Sequence, residues 1–146
     1  MKHLKTFESH NNIALYHGSM SEFPIGFELL PQEDGYVHDE GSKIDEDFLE
    51  KFRPSDKLSR FKSVYLIDDI DLIEDAGGYE DFIYEVSYDY ISEKSDLAWY
   101  SEMSMAEDMD RKEECAKNYW SGIIFEELDY SLFEYRVPSA KIIRTL

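Results

Sequence analysis

One cysteine, four prolines and seven glycines are all that 146 residues contain of the residues that most constrain or free a chain. Each scarcity excludes something. Cys115 alone cannot close an internal disulfide, so a reducing compartment is the simplest reading. It lies in the helical-looking stretch "RKEECAKNYW", which suits a small buried side chain better than a nucleophile. No low-complexity linker and no repeat divides the chain, so residues 1–146 read as a single domain with one core. No apolar run approaches the roughly 18 residues that span a bilayer, so no membrane is expected as a partner. The start, "MKHLKTFESHNN", has no hydrophobic stretch of the secretory kind. A cytoplasmic protein is the expectation, in the host cytoplasm if the source is viral. Basic residues are also scarce, 15 against 33 acids, for a net charge of −18. Such a surface repels phosphates and disfavours a nucleic-acid partner.

Familiar site motifs are missing too. There is no G-x-G-x-x-G and no G-x-x-x-x-G-K-[ST], so the usual dinucleotide and phosphate cradles are absent. H-E-x-x-H, C-x-x-C and G-x-S-x-G do not occur. His3, His10, His17 and His38 are not spaced like a zinc site, and Asp68-Asp69-Ile70-Asp71 lacks the rest of a calcium loop, so no metal is expected.

What is present is a well-built apolar fraction, 42%, with 11 tyrosines and 9 phenylalanines, enough for a folded chain despite the charge. Residues 12–17, "NIALYH", read as a strand with Ile13, Leu15 and His17 on one side, ending at His17-Gly18-Ser19. Gly18 to Pro31 reads as loop. "IDEDFLEKFRP" predicts a short helix packed through Ile44, Phe48 and Phe52, stopped by Pro54. "SVYLID" and "DFIYEVSY" predict strands, "DDIDLIEDAGG" a short helix ending at Gly77-Gly78, and "MAEDMDRKEECAKNYW" a longer one. The tail from Ile123 predicts two or three strands. In "LFEYRV", Phe133, Tyr135 and Val137 share one face, while Leu132, Glu134 and Arg136 share the other. Strands and helices mix without a βαβ rhythm, so the fold class is α+β.

Three pieces then stand out together: "LYHGS", "SVYLIDD" and "LFEYRVPSAKI". In this order they resemble the ADP-ribosyltransferase superfamily of the His-Tyr-Glu type. "HGSMSEFPIGFELLPQ" and "VYLIDDIDLIEDAGGYEDFIYEVS" are similar in layout to the small bacterial rifamycin ADP-ribosyltransferases. The resemblance implies two small packed antiparallel or mixed sheets with flanking helices. It implies a triad of His17, Tyr65 and Glu134, with Gly18 and Ser19 beside His17, and NAD as co-substrate.

Chemistry gives each of these residues a job that fits. Breaking the nicotinamide–ribose bond develops positive charge on the ribose, which a carboxylate such as Glu134 stabilises. Gly18 lets its backbone approach the nicotinamide amide, and Ser19 offers that amide a hydroxyl. Tyr65 suits stacking on the nicotinamide ring, and His17 a hydrogen bond to a ribose hydroxyl. Glu126, Glu127, Glu93 and Asp96 remain alternatives for the acid. Leu132 stands two residues before Glu134, where arginine-directed transferases carry Glu or Gln, so an arginine target is not supported. Tyr119, Trp120 and Gly122 line the site, shape an acceptor loop, or pack in the core. Two functions follow. One is a mono-ADP-ribosyltransferase acting on a protein or a small molecule. The other is an acidic interaction protein that blocks a basic surface, on a catalytically degenerate transferase fold.

Overall fold

The structure, a computed structural model, describes residues 13–32, 40–91 and 93–146. His3, His10 and His38 lie outside the described residues. In chain order the elements are β1 (Leu15–Ser19), β2 (Glu28–Leu29), α1 (Glu40–Lys51), β3 (Val64–Leu66), β4 (Phe82–Ser87), β5 (Glu93–Asp96), α2 (Ala98–Met105), α3 (Met109–Ser121), β6 (Phe133–Val137) and β7 (Ala140–Thr145). The strands form two sheets, β1-β4-β7-β2 and β3-β6-β5, and every pairing is antiparallel. Among the described residues a single bridge, Tyr16 to Ile67, joins β1 to the residue after β3. The chain is therefore α+β, and the seam at this bridge is where the two sheets meet.

Alternation on the strands feeds one core between the sheets. Leu15, Val64, Leu66, Tyr84, Val86, Tyr135, Val137 and Ile142 meet there. A second core lies under the helices, with Leu49 from α1, Trp99 and Met103 from α2, and Cys115, Ala116, Tyr119 and Trp120 from α3. Strand β6 runs between the two cores and is covered on both faces. The polar residues of its second face are therefore inside, Glu134 at 6% and Arg136 at 0% exposure.

Several expectations change for local reasons. The first strand starts at Leu15 and does not end at His17, because Gly18 and Ser19 continue the ladder to Ile83 and Phe82 of β4. The stretch read as loop also contains β2, paired with β7. In α1 the buried positions are Glu46 and Leu49, while Ile44 is exposed. Glu46 is drawn inward by Arg60 and Tyr100, while Phe48 and Phe52 pack half-buried against the helical core as their spacing predicts. The helix expected over 68–78 is a three-residue 3-10 turn, Ile70–Leu72, that tightens toward Gly77 at φ 86°. Asp71, Glu74 and Asp75 lie at i, i+3 and i+4, where like charges oppose a full helix. The long helix begins at Met109 because Asp108 caps it, its carboxylate accepting from the Arg111 N–H at 3.3 Å. Strand β5 and helix α2 carry no apolar alternation that sequence reading catches. Buried Ser95 and Asp96 hold them in place instead.

Candidate functional site

At the seam, β1 and β3 bring residues far apart in sequence side by side. His17 Nδ1 lies 3.1 Å from the Tyr65 carbonyl oxygen. A carbonyl only accepts, so Nδ1 carries the proton and Nε2 is the acceptor of the neutral ring. Burial holds the imidazole below its ordinary value of 6.5, partly offset by this hydrogen bond. Two cavities flank the seam. One, of about 270 Å³, is bordered by His17, Gly18, Glu46, Arg60, Tyr65, Tyr100 and Glu134 among others. The other, of about 600 Å³, is bordered by Ser19, Met20, Phe23, Phe27 and Leu30, and shares His17, Gly18 and Tyr65 with the first.

The smaller cavity rests on a buried polar cluster. Arg60, from a 3-10 turn over Arg60–Lys62, stands between two carboxylates. Its Nε donates to Glu46 Oε1 at 2.8 Å, and its Nη1 donates to Glu134 Oε1 and Oε2 at 2.7 and 2.6 Å. Its guanidinium carbon lies 4.8 Å from the Tyr65 ring centroid and 5.2 Å from that of Tyr100, within cation–π range. Tyr100 donates to Glu46 Oε2 at 2.9 Å. Tyr65 donates its hydroxyl to the Arg60 carbonyl. Behind them, Glu134 Oε2 also accepts from Tyr119 at 2.5 Å and from Arg136 Nη1 at 2.8 Å. Burial would push the Glu134 carboxyl up. Arg60, Arg136 and the Tyr119 hydroxyl outweigh it and hold the group below its ordinary 4.5. Burial pushes the Tyr65, Tyr100 and Tyr119 hydroxyls up, so all three are neutral donors.

The arrangement brings His17, Gly18, Tyr65 and Glu134 to one cavity, while Ser19 borders only the other. The Ser19 hydroxyl accepts from the Ser21 N–H at 3.0 Å. Gly18 has a packing reason to be glycine: a Cβ there would stand 2.1 Å from the Tyr79 carbonyl oxygen. The alternative acids are elsewhere. Glu126 and Glu127 are exposed on the segment before β6, with Glu127 3.5 Å from Arg111. Glu93 pairs with Lys57 at 3.1 Å. Asp96 is buried, accepting from the Ala98 and Phe125 N–H groups at 3.0 Å each. Tyr119 and Trp120 sit in the helical core, and Gly122 ends α3 at φ 78°.

Sequence reading missed Glu46, Arg60 and Tyr100. The available signal was indirect: an inward Glu134 and Arg136 on a doubly covered strand need compensating partners. Cys115 is buried as expected, and burial pushes its thiol up. Among the described residues no cluster of three metal-ligating side chains occurs, and no helix is long and apolar enough to cross a membrane.

Comparison with family models, with curated proteins and with solved structures finds no match for this chain.

Proposed function

We propose that the chain is a mono-ADP-ribosyltransferase that binds NAD at the seam between its sheets and transfers ADP-ribose to a protein or small-molecule acceptor. One observation carries the reading. His17, Tyr65 and Glu134, singled out by the family resemblance of their motifs, border a single cavity although they come from β1, β3 and β6. The two-sheet arrangement with a triad across its seam is of the kind the resemblance implies. The cavities on either side of His17, Gly18 and Tyr65 give separate room for the two halves of a dinucleotide.

The residues divide the work as follows. The chemistry NAD supplies is a weak glycosidic bond to a cationic nicotinamide, whose departure returns the bond's electrons to the ring. Glu134 contributes a fixed negative charge and a hydrogen-bond acceptor near the developing ribose cation. Its low proton affinity, enforced by two guanidiniums, suits electrostatic support better than proton abstraction. Neutral His17 offers Nε2 to a hydroxyl. Tyr65, held by Arg60 and by its own hydroxyl bond, presents a ring of fixed position.

A second reading draws on that same locked carboxylate. Arg60 and Arg136 already hold Glu134, and the chain carries −18, so an acidic interaction protein on a degenerate transferase fold has specific support. One experiment separates the two. Pure protein is incubated with NAD and lysate, and nicotinamide release and label transfer are followed for wild type and Glu134→Gln. Glutamine is the right replacement, because it keeps the side chain's shape and an acceptor oxygen, whereas alanine would remove every acceptor that Arg60, Arg136 and Tyr119 use on this residue. The transferase reading expects release that falls by about 10²-fold or more in the variant, the scale of a lost transition-state contact. No release, together with no rise in melting temperature at saturating NAD, leaves the interaction protein.

A further inference from the structure

Glu134 is the carboxylate the proposed reaction needs, yet it is not presented by its strand alone. Its two oxygens are treated unequally. Among the described residues Oε2 accepts from Tyr119, Arg136 and Arg60, while Oε1 accepts from Arg60. The oxygen with fewer donors keeps a lone pair for a hydroxyl. Arg60 alone touches both oxygens, and it is also the one member of this set that borders the cavity together with Glu134; Tyr119 and Arg136 lie behind. Arg60 is in turn held from two helices, by Glu46 of α1 directly and by Tyr100 of α2 through Glu46 and its ring.

We infer that Arg60 is the positioning residue for Glu134: its Nη1 spans both carboxylate oxygens while its Nε is tied to Glu46, so the guanidinium fixes where the carboxylate stands and which oxygen is left to a substrate hydroxyl, with Glu46 and Tyr100 as its anchors. This rests on the transferase reading for its function, though not for its geometry. A lysine could keep the charge but not the bridge, because its single ammonium cannot hold Glu46 and Glu134 from two nitrogens of one rigid plane. The groups facing Glu134 are Arg136 from its own strand, Tyr119 from α3, Tyr65 from β3 and Arg60 from the turn before β3. Glu46 and Tyr100 act on it through Arg60.

The test uses two variants and two readouts. The Glu134 carboxyl carbon is titrated by NMR in wild type, Arg60→Lys and Arg60→Gln, with Glu134→Gln to assign the signal. Nicotinamide release gives kcat and KM for NAD against pH in the same proteins. The carboxyl should titrate lowest in wild type, higher in Arg60→Lys and highest in Arg60→Gln, with the acid limb of kcat moving in step. In Arg60→Lys, kcat should fall about 100-fold, the cost of a misplaced group, with KM near wild type. Arg60→Lys with wild-type kcat overturns the inference, and so does a carboxyl titration that neither variant moves. If Arg60→Gln does not fold, Arg60→Lys decides by both readouts. If wild type releases no nicotinamide, the transferase reading fails, and the titration still decides whether Arg60 governs Glu134.

Discussion

Gly18 shows how one residue serves two neighbours. Its φ is not in the left-handed region, so its need for glycine is a matter of room. The segment after the 3-10 turn at Ile70–Leu72 brings the Tyr79 carbonyl against its Cα, and Ile73 Cγ2 would stand 2.8 Å from a Cβ. Gly18→Ala should therefore push a backbone carbonyl away and lose about 1–3 kcal/mol, as overpacked sites do. Urea unfolding of the variant checks this, and an unchanged midpoint would mean that the segment yields at no cost. Because that segment also borders the smaller cavity through Asp75, Ala76, Gly77 and Gly78, the same substitution should reshape the site as well as weaken the fold.

Helix α2 and the segment after α3 depend on a carboxylate that sequence reading considered only as a possible acid. Asp96, at the end of β5, accepts from the Ala98 N–H at the start of α2 and from the Phe125 N–H. It is 1% exposed and Phe125 is itself buried, so the Phe125 N–H in particular cannot turn to water when the carboxylate is removed. Asp96→Ala should lose about 1–3 kcal/mol for the stranded donors. Hydrogen exchange at Ala98 and Phe125 should rise together, whereas loss at one alone would contradict a shared anchor. Two neighbouring contacts also depend on this junction: the Trp99 indole donates to the Ile123 carbonyl at 2.8 Å, and its ring packs edge-on against Phe125 at 4.8 Å between centroids. Helix α3 is better specified from within, since Asp108 caps its start and Gly122 its end.

For the molecule as a whole, two ionisable groups near the seam, the half-buried His17 and the buried Glu134, set a dependence on acid. His17 titrates below its ordinary 6.5 in the folded chain, so the unfolded chain binds more protons just below that value. Stability from His17 is complete above pH 6.5 and is lost as pH falls through 6.5 toward the folded value. Glu134 has the same sign lower down. Its contribution is present above 4.5 and is lost as pH falls below that toward its depressed value. Chemical unfolding at a series of pH values should thus find stability falling in two stages, with His17→Gln flattening the upper one. An unchanged upper slope in that variant would assign it to other groups. The net charge of −18 works against both stages, because protonating surface carboxylates relieves repulsion.

Sequence alone determined the α+β class, strands over most of β1, β3, β4 and β6, the burial of Cys115 and, through the family resemblance, which three residues to compare across the chain. The elements follow from local pattern, chiefly alternation on strands, and the three residues from motifs that resemble those of a family, each carried by a strand. The tertiary structure alone decided that β6 is covered on both faces, so that Glu134 and Arg136 turn inward and recruit Arg60, Glu46 and Tyr119. It alone decided the inward turn of α1 at Glu46 and the existence of β5, whose four residues Glu93–Asp96 carry no apolar signal. The physical reason is the same in each case. A polar side chain reads as solvent-facing until its partners are known, and here the partners come from elements far away in the chain.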